Sequence, residues 1–276
     1  MQEKDKTQNN LTQKDNLVEY IDKVNFQLRE PLTNIFATLP ILAENINNAD
    51  TEKAMDNLQV VYKRVYAVMK SVNNLSIVSK LQSGYEYSKE IIDFSQLVKS
   101  AFQSSQMVLP PYCTISCTAD EGCIIEGNET LLSVGLFNFL LNSIEYKQED
   151  INVQVTLKNE ESRCVLTYRD NSIGIKLETA GNIFMPFYSV DPYNDGEVNN
   201  NLGLGLYMAK QAVNHAGGTV LLQSEFGKGV NIVISIPKCS EDKAVTLKSK
   251  AGGFILNKYS DMYVQLCEYC DLPDLI

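Results

Sequence analysis

From Leu17 onward the apolar residues Leu17, Ile21, Val24, Leu28, Leu32, Ile35, Leu39, Leu42 and Ile46 recur at steps of three and four, the spacing of a helix with one continuous apolar seam. A second seam, Met55, Leu58, Tyr62, Val65, Met69 and Val72, follows the turn residues Asn47 to Asp50. Residues 14–84 therefore predict a helical hairpin that ends near Gly84, after a polar segment over residues 1–13. Two helices with strong seams leave apolar rows uncovered. A symmetric dimer that builds a four-helix bundle covers them; cover by the following domain is the alternative.

Beyond Gly84 the texture changes to an alternation of helix and strand patterns over residues 85–238. A helix is expected around Phe94 to Phe102, short strands at "CTISCTA" and "CIIEG", and a helix from Glu129 to about Tyr146. Two alternating strands follow, "NVQVTLK" and "RCVLTYR". The stretch from Lys176 to Asn201, rich in Asn, Asp, Gly and Pro, is too long for a simple connection and reads as a functional lid or a disordered loop. A helix from about Gly203 and the strands "GTVLLQSE" and "VNIVISIP" close the domain, and residues 239–276 form an extension whose role the sequence does not reveal. The expected class is α+β: a helical hairpin followed by an α/β sandwich.

Charge and composition narrow the partners. The net charge of −10 works against neutralising a polyanion, so nucleic acid is not an expected ligand. No run of about 18 apolar residues occurs, which disfavours membrane insertion and points to a cytoplasmic protein. The seven cysteines are irregularly spaced and read as reduced thiols. Cys267 and Cys270 form a C-x-x-C pair without the second pair or the His partner that a structural zinc site needs.

Several ordered motifs then carry chemistry. They are the helix "NFLLNSIEY", the strand end "RDNSIGI", the lid "IFMPFYSVD", the helix start "NLGLGLYMAK" and "GGTVLLQSEFGKG". In that order and at those separations the chain resembles the sensor histidine kinases of two-component systems. Their ATP-binding domain has the Bergerat-type fold shared with gyrase and the chaperone ATPases, and their dimerisation and phosphotransfer domain is a helical hairpin. The resemblance covers roughly residues 14–238 and implies ATP and Mg2+ as cofactors, a homodimer, and a sensor kinase or response regulator as partner.

Residue by residue, Asn138, Asn142 and Tyr146 share one helix face, and the resemblance makes Asn142 the magnesium ligand. The same residues read alone could be surface amides. Asp170 ends a strand where a carboxylate can accept a hydrogen bond from the exocyclic amine of adenine, and Gly174 would let the backbone approach the base. Leu202, Gly203, Leu204, Gly205 and Leu206 open a helix, whose free N–H groups favour phosphate. The two glycines could instead serve helix packing.

The departures matter as much. The family's phosphotransfer helix reads Ser-His-Glu-Leu-Arg-Thr-Pro-Leu; here the aligned residues are Asn25, Phe26, Gln27, Leu28, Arg29, Glu30, Pro31 and Leu32. Phe26 has no nucleophilic atom, Gln27 cannot act as the base, and the Glu30 carboxylate repels an anionic phosphoryl centre. No catalytic residue is therefore expected on this helix. Phe26 lies roughly opposite the apolar seam and should point outward. The chain's one histidine, His215, falls at a helix end and suits packing better than phosphate acceptance. In the nucleotide site Ser172 and Asn201 stand where glycines are usual, and Glu145 where a Lys or Arg often meets phosphate.

Overall fold

The computed structural model describes residues 2–190, 201–239, 257 and 259–269, with side chains described from Tyr20 onward. Helix α1 (Gln2–Asn47) and helix α2 (Thr51–Gln82) form the hairpin. α1 begins at Gln2, so the polar segment expected to precede the helix is continuous with it. The turn is made by Ala49 at φ 56° and by Asp50, whose carboxylate caps α2 by accepting from Lys53 N at 3.3 Å. Lys80 lies in the last turn of α2, and Gly84 follows at φ +75°.

The seams are covered only in part. Val24, Leu28, Ile35 and Leu42 are half-buried, whereas Ile21, Leu32, Leu39 and Ile46 on α1 and Met55, Val65 and Val72 on α2 are exposed. A single chain thus covers part of each seam and leaves an apolar row on each helix to water.

The second unit is a five-stranded mixed sheet with helices packed against it. Its strands are β2 (Cys113–Ala119), β4 (Ile151–Asn159), β5 (Arg163–Arg169), β6 (Thr219–Ser224) and β7 (Val230–Pro237), in the order β2-β4-β5-β7-β6. β2 and β4 are parallel, with Cys113 opposite Ile151; the remaining pairs are antiparallel, with Val155 opposite Tyr168 and Leu166 opposite Ile234. The strict alternation in β4 buries Ile151, Val153, Val155 and Leu157 on one face. Helix α3 (Phe94–Val108) and helix α4 (Glu129–Glu145) join that face through Phe94, Phe102, Phe137 and Leu140. Asn128 caps α4 by accepting from Leu131 N at 3.0 Å. α4 is buried around most of its circumference because it is the central helix, packed on α3, helix α5 (Gly205–His215) and β4.

Two elements lay outside the sequence expectation. A short strand β1 (Glu90–Asp93) pairs antiparallel with β3 (Ile124–Gly127), as a separate two-stranded sheet. In the C-terminal extension, helix α6 (Asp261–Leu266) packs on both α2 and α4. Gln265 Nε2 donates to Asn74 Oδ1 at 2.6 Å, Asn73 Nδ2 donates to Asp261 Oδ1 at 3.1 Å, and the Tyr263 and Tyr66 rings lie 5.6 Å apart. The extension therefore ties the hairpin to the second unit. Cys267 is buried with its thiol toward Val264 O at 3.3 Å; Cys270, and with it the C-x-x-C pair, lies outside the described residues. Burial pushes the Cys113 thiol up to about 11, which keeps it protonated and unreactive at neutral pH.

Candidate nucleotide site

A cavity of about 330 Å³ opens between α4, the end of β5, the start of α5 and the hairpin. Asn138, Asn142 and Tyr146 line it from one face of α4, as their spacing requires. Asp170, Ser172 and Gly174 line it from the end of β5, and residues 202–206 from the start of α5. All ten residues expected to hold the nucleotide therefore reach one cavity.

The Asp170 carboxylate is fixed rather than free. Its Oδ1 accepts from Ser172 N at 3.0 Å, Ser172 Oγ at 2.7 Å and Val230 N at 3.0 Å, while Oδ2 accepts from Ser143 Oγ. Ser143 Oγ also lies 2.6 Å from the Tyr168 hydroxyl, and burial holds that phenol well above its ordinary pKa. Three donors on one oxygen and one on the other leave acceptor capacity on Oδ2, the requirement for reading an amine. Ser172, one of the departures, thus braces the carboxylate.

Gly174, at φ +74°, lines the cavity and is required by the fold as well. A Cβ there would sit 2.3 Å from the Glu225 carbonyl oxygen, so the missing side chain admits the turn after β6 rather than only a base. Gly203, at φ +63°, is pressed against Tyr188, with a Cβ position 2.3 Å from Tyr188 O, and Gly205 is pressed against the Asn138 side chain, at 2.7 Å from Oδ1. Packing and phosphate access are therefore compatible readings of these two glycines. The first turn of α5 has no side-chain cap, so its N–H groups have no capping side chain to satisfy them at the cavity edge.

The hairpin supplies the facing wall. Gln27, Glu30 and Pro31 of α1 and Arg64, Ala67, Lys70, Ser71 and Asn74 of α2 line the same cavity, as does Glu268 beside α6. Phe26 itself is 47% exposed, in keeping with the outward position expected of it. Three of the departures meet one another: Asn201 Nδ2 donates to Glu145 Oε1, and Gln27 Nε2 donates to Asn201 Oδ1 at 3.3 Å. Ser71 Oγ lies 3.5 Å from Gln27 Oε1 and extends the chain of polar contacts to α2. On the lid, Phe187 adopts a left-handed backbone at φ 63°, stacks on Tyr20 with centroids 4.3 Å apart, and accepts from Lys23 Nζ at 3.2 Å. The expected lid residues 191–200 lie outside the described residues.

Apart from Gln27 and Glu30, already distinguished as departures, sequence reasoning missed the hairpin and tail residues of this cavity because their placement is set by long-range packing. The sparsity of Lys and Arg in the nucleotide motifs was the available signal. His215 ends α5 with Nε2 buried and without a hydrogen-bond partner among the described residues, its ring is edge-on to Tyr87, and burial lowers its pKa. That burial accords with the packing position expected of it.

Comparison with known proteins agrees with this geometry. Residues 127–240 match the family described as histidine kinase-, DNA gyrase B-, and HSP90-like ATPase. The sensor protein kinase WalK of Staphylococcus aureus is 27% identical over 222 residues, 79% of this chain; the chain spans 53% of one such relative and 36% of another. Among solved structures, the Acinetobacter baumannii histidine kinase AdeS aligns with a TM-score of 0.54 over 76% of this chain and 96% of that one, at 16% identity. Full-length ShkA in complex with AMPPNP also aligns with a TM-score of 0.54, over 67% of this chain and 39% of that one, at 18% identity. Residues 127–240 thus match the ATPase domain of that family behind a helical hairpin, and over most of its length the chain is similar to sensor histidine kinases.

Proposed function

We propose that this chain is a two-component signalling protein that binds ATP with Mg2+, does not phosphorylate itself on α1, and acts by binding a sensor kinase or a response regulator. The observation that carries this reading is the cavity. It gathers Asn138, Asn142, Tyr146, Asp170 and the start of α5, and abuts α1 at Gln27, next to a ring that has no lone pair. Asn142 offers an amide oxygen suited to a hard cation shared with phosphate oxygens, and Asp170 is the adenine reader. ATP as ligand places the work of this domain in the cytoplasm, and no described helix is long and apolar enough to cross a membrane. The exposed rows Leu32, Leu39 and Ile46 on α1 and Val65 and Val72 on α2 support a homodimer through a four-helix bundle.

Thermal unfolding with and without magnesium-ATP tests the reading. Ligand at about a hundredfold over its Kd stabilises by about 2.7 kcal/mol, which should appear as a rise in Tm. Asp170→Asn should abolish that rise. Absence of any rise in the wild-type protein would favour a nucleotide-free scaffold. Label transferred from ATP to a separate partner, but not to this chain, would make it a kinase working in trans.

A further inference from the structure

The charge around the cavity is poorly matched to a triphosphate unless the hairpin takes part. Glu30, Glu145, Asp170 and Glu268 all line it. Opposing cations are scarce in the ATPase domain. α4 has no Lys or Arg, nor does the chain from Leu177 to Leu204, and Glu145 occupies the end of α4. Lys176 lies over the Phe226 ring, 5.3 Å from its centroid, on the Gly174 side of the cavity. Among the described residues the other cations that line the cavity are Arg64 and Lys70, both from α2. They belong to a helix face that also turns Ala67, Ser71 and Asn74 to the cavity, at steps of three and four.

Both cations are held by carboxylates that line the same space. Arg64 Nη1 is 3.7 Å from Glu30 Oε1, and Lys70 Nζ is 3.3 Å from Glu268 Oε2. Glu268 reaches Lys70 from a constructed interface rather than from a loose surface. Gln265, buried between α6 and the hairpin, and Asp261 anchor its segment to Asn74 and Asn73. Lys70 is 21% exposed and Glu268 34%, so the pair is partly withdrawn from water, and its carboxylate can still leave toward solvent.

We propose that Arg64 and Lys70 bind the phosphate groups of the nucleotide, and that Glu30 and Glu268 occupy them until it arrives. This rests on the nucleotide reading above. It makes the site a composite of ATPase domain, hairpin and C-terminal extension. Phosphate then exchanges with a carboxylate for the same cation, so affinity for the phosphates reports on the docking of the hairpin, while affinity for adenosine does not.

Calorimetric titration of the full chain with magnesium-ATP and with adenosine tests this. Lys70→Met should weaken ATP binding about tenfold, the size of one lost charge-assisted contact, and leave adenosine binding unchanged; Arg64→Met should do the same to a smaller extent. Glu268→Gln should tighten ATP binding, because the competing carboxylate is gone. A purely structural ion pair predicts the opposite sign for Glu268→Gln, and that result would overturn the proposal, as would a Lys70→Met loss equal for ATP and adenosine. Wild-type protein that binds neither ligand would defeat the nucleotide reading as well; one that binds both, with variants that do not discriminate, defeats only the role of these cations.

Discussion

The hairpin and the ATPase domain are built to different degrees of self-sufficiency. The domain closes over its own core: Phe94, Phe102, Phe137, Leu157 and Tyr168 are almost wholly buried, packed between sheet and helices. The hairpin leaves Phe36 71% exposed and keeps two apolar rows in water. Chemistry divides along the same line. The domain gathers the residues proposed to read adenine and hold a hard cation, while the hairpin has Phe26 and Gln27 where the kinases it resembles have the nucleophile and base. One region closes its own core, and the other presents surface. On the proposed reading, a stem without a phosphoacceptor acts through what its exposed faces meet.

The difference can be broken most forcefully in the core. Phe102→Ala should destabilise the ATPase domain by about 3–5 kcal/mol, read as a lower denaturant midpoint, because a large cavity is left among Tyr168 and its neighbours. Val72→Asp on the exposed row of α2 should change the stability of the domain by no more than about 0.5 kcal/mol. The same variant should convert a dimer to a monomer in sedimentation, because it buries an unpaired charge in the bundle. Were the hairpin complete in one chain, Val72→Asp would leave the sedimentation coefficient unchanged.

The smallest effect sharpens the packing role of His215. Burial first, and Lys89 second, lower its pKa from the ordinary 6.5. The unfolded chain therefore takes up a proton that the folded chain resists. The contribution to stability is complete above about pH 6.5 and is lost as pH falls through the lowered value. His215→Phe should flatten that part of the stability profile between neutral and mildly acidic pH, measured by denaturation at a series of pH values.

Most elements were legible because their patterns are regular. The steps of three and four in the hairpin and the alternation in β4, β5 and β7 each dictate one geometry. Strand β1 was not, because the four residues "EIID" are too short to show a period. The start of α1 was hidden for the converse reason: residues 2–16 are polar and lack a seam. In the site, Asn138, Asn142 and Tyr146 could be grouped because helix geometry is local. The facing wall could not, since Arg64, Lys70 and Glu268 reach the cavity only through the docking of α2 and α6. The pairing of Asn201 with Glu145 and Gln27 was likewise invisible, although each stood out singly as a departure.

Equilibrium dialysis of the purified chain against γ-labelled ATP and Mg2+, followed by denaturing electrophoresis under conditions that preserve phosphohistidine, tests the central claim most directly. The account predicts label retained by the native protein and none left on the denatured chain. Label that survives on the α1 segment would contradict the loss of phosphotransfer, and failure of the native protein to retain any label would contradict the nucleotide site.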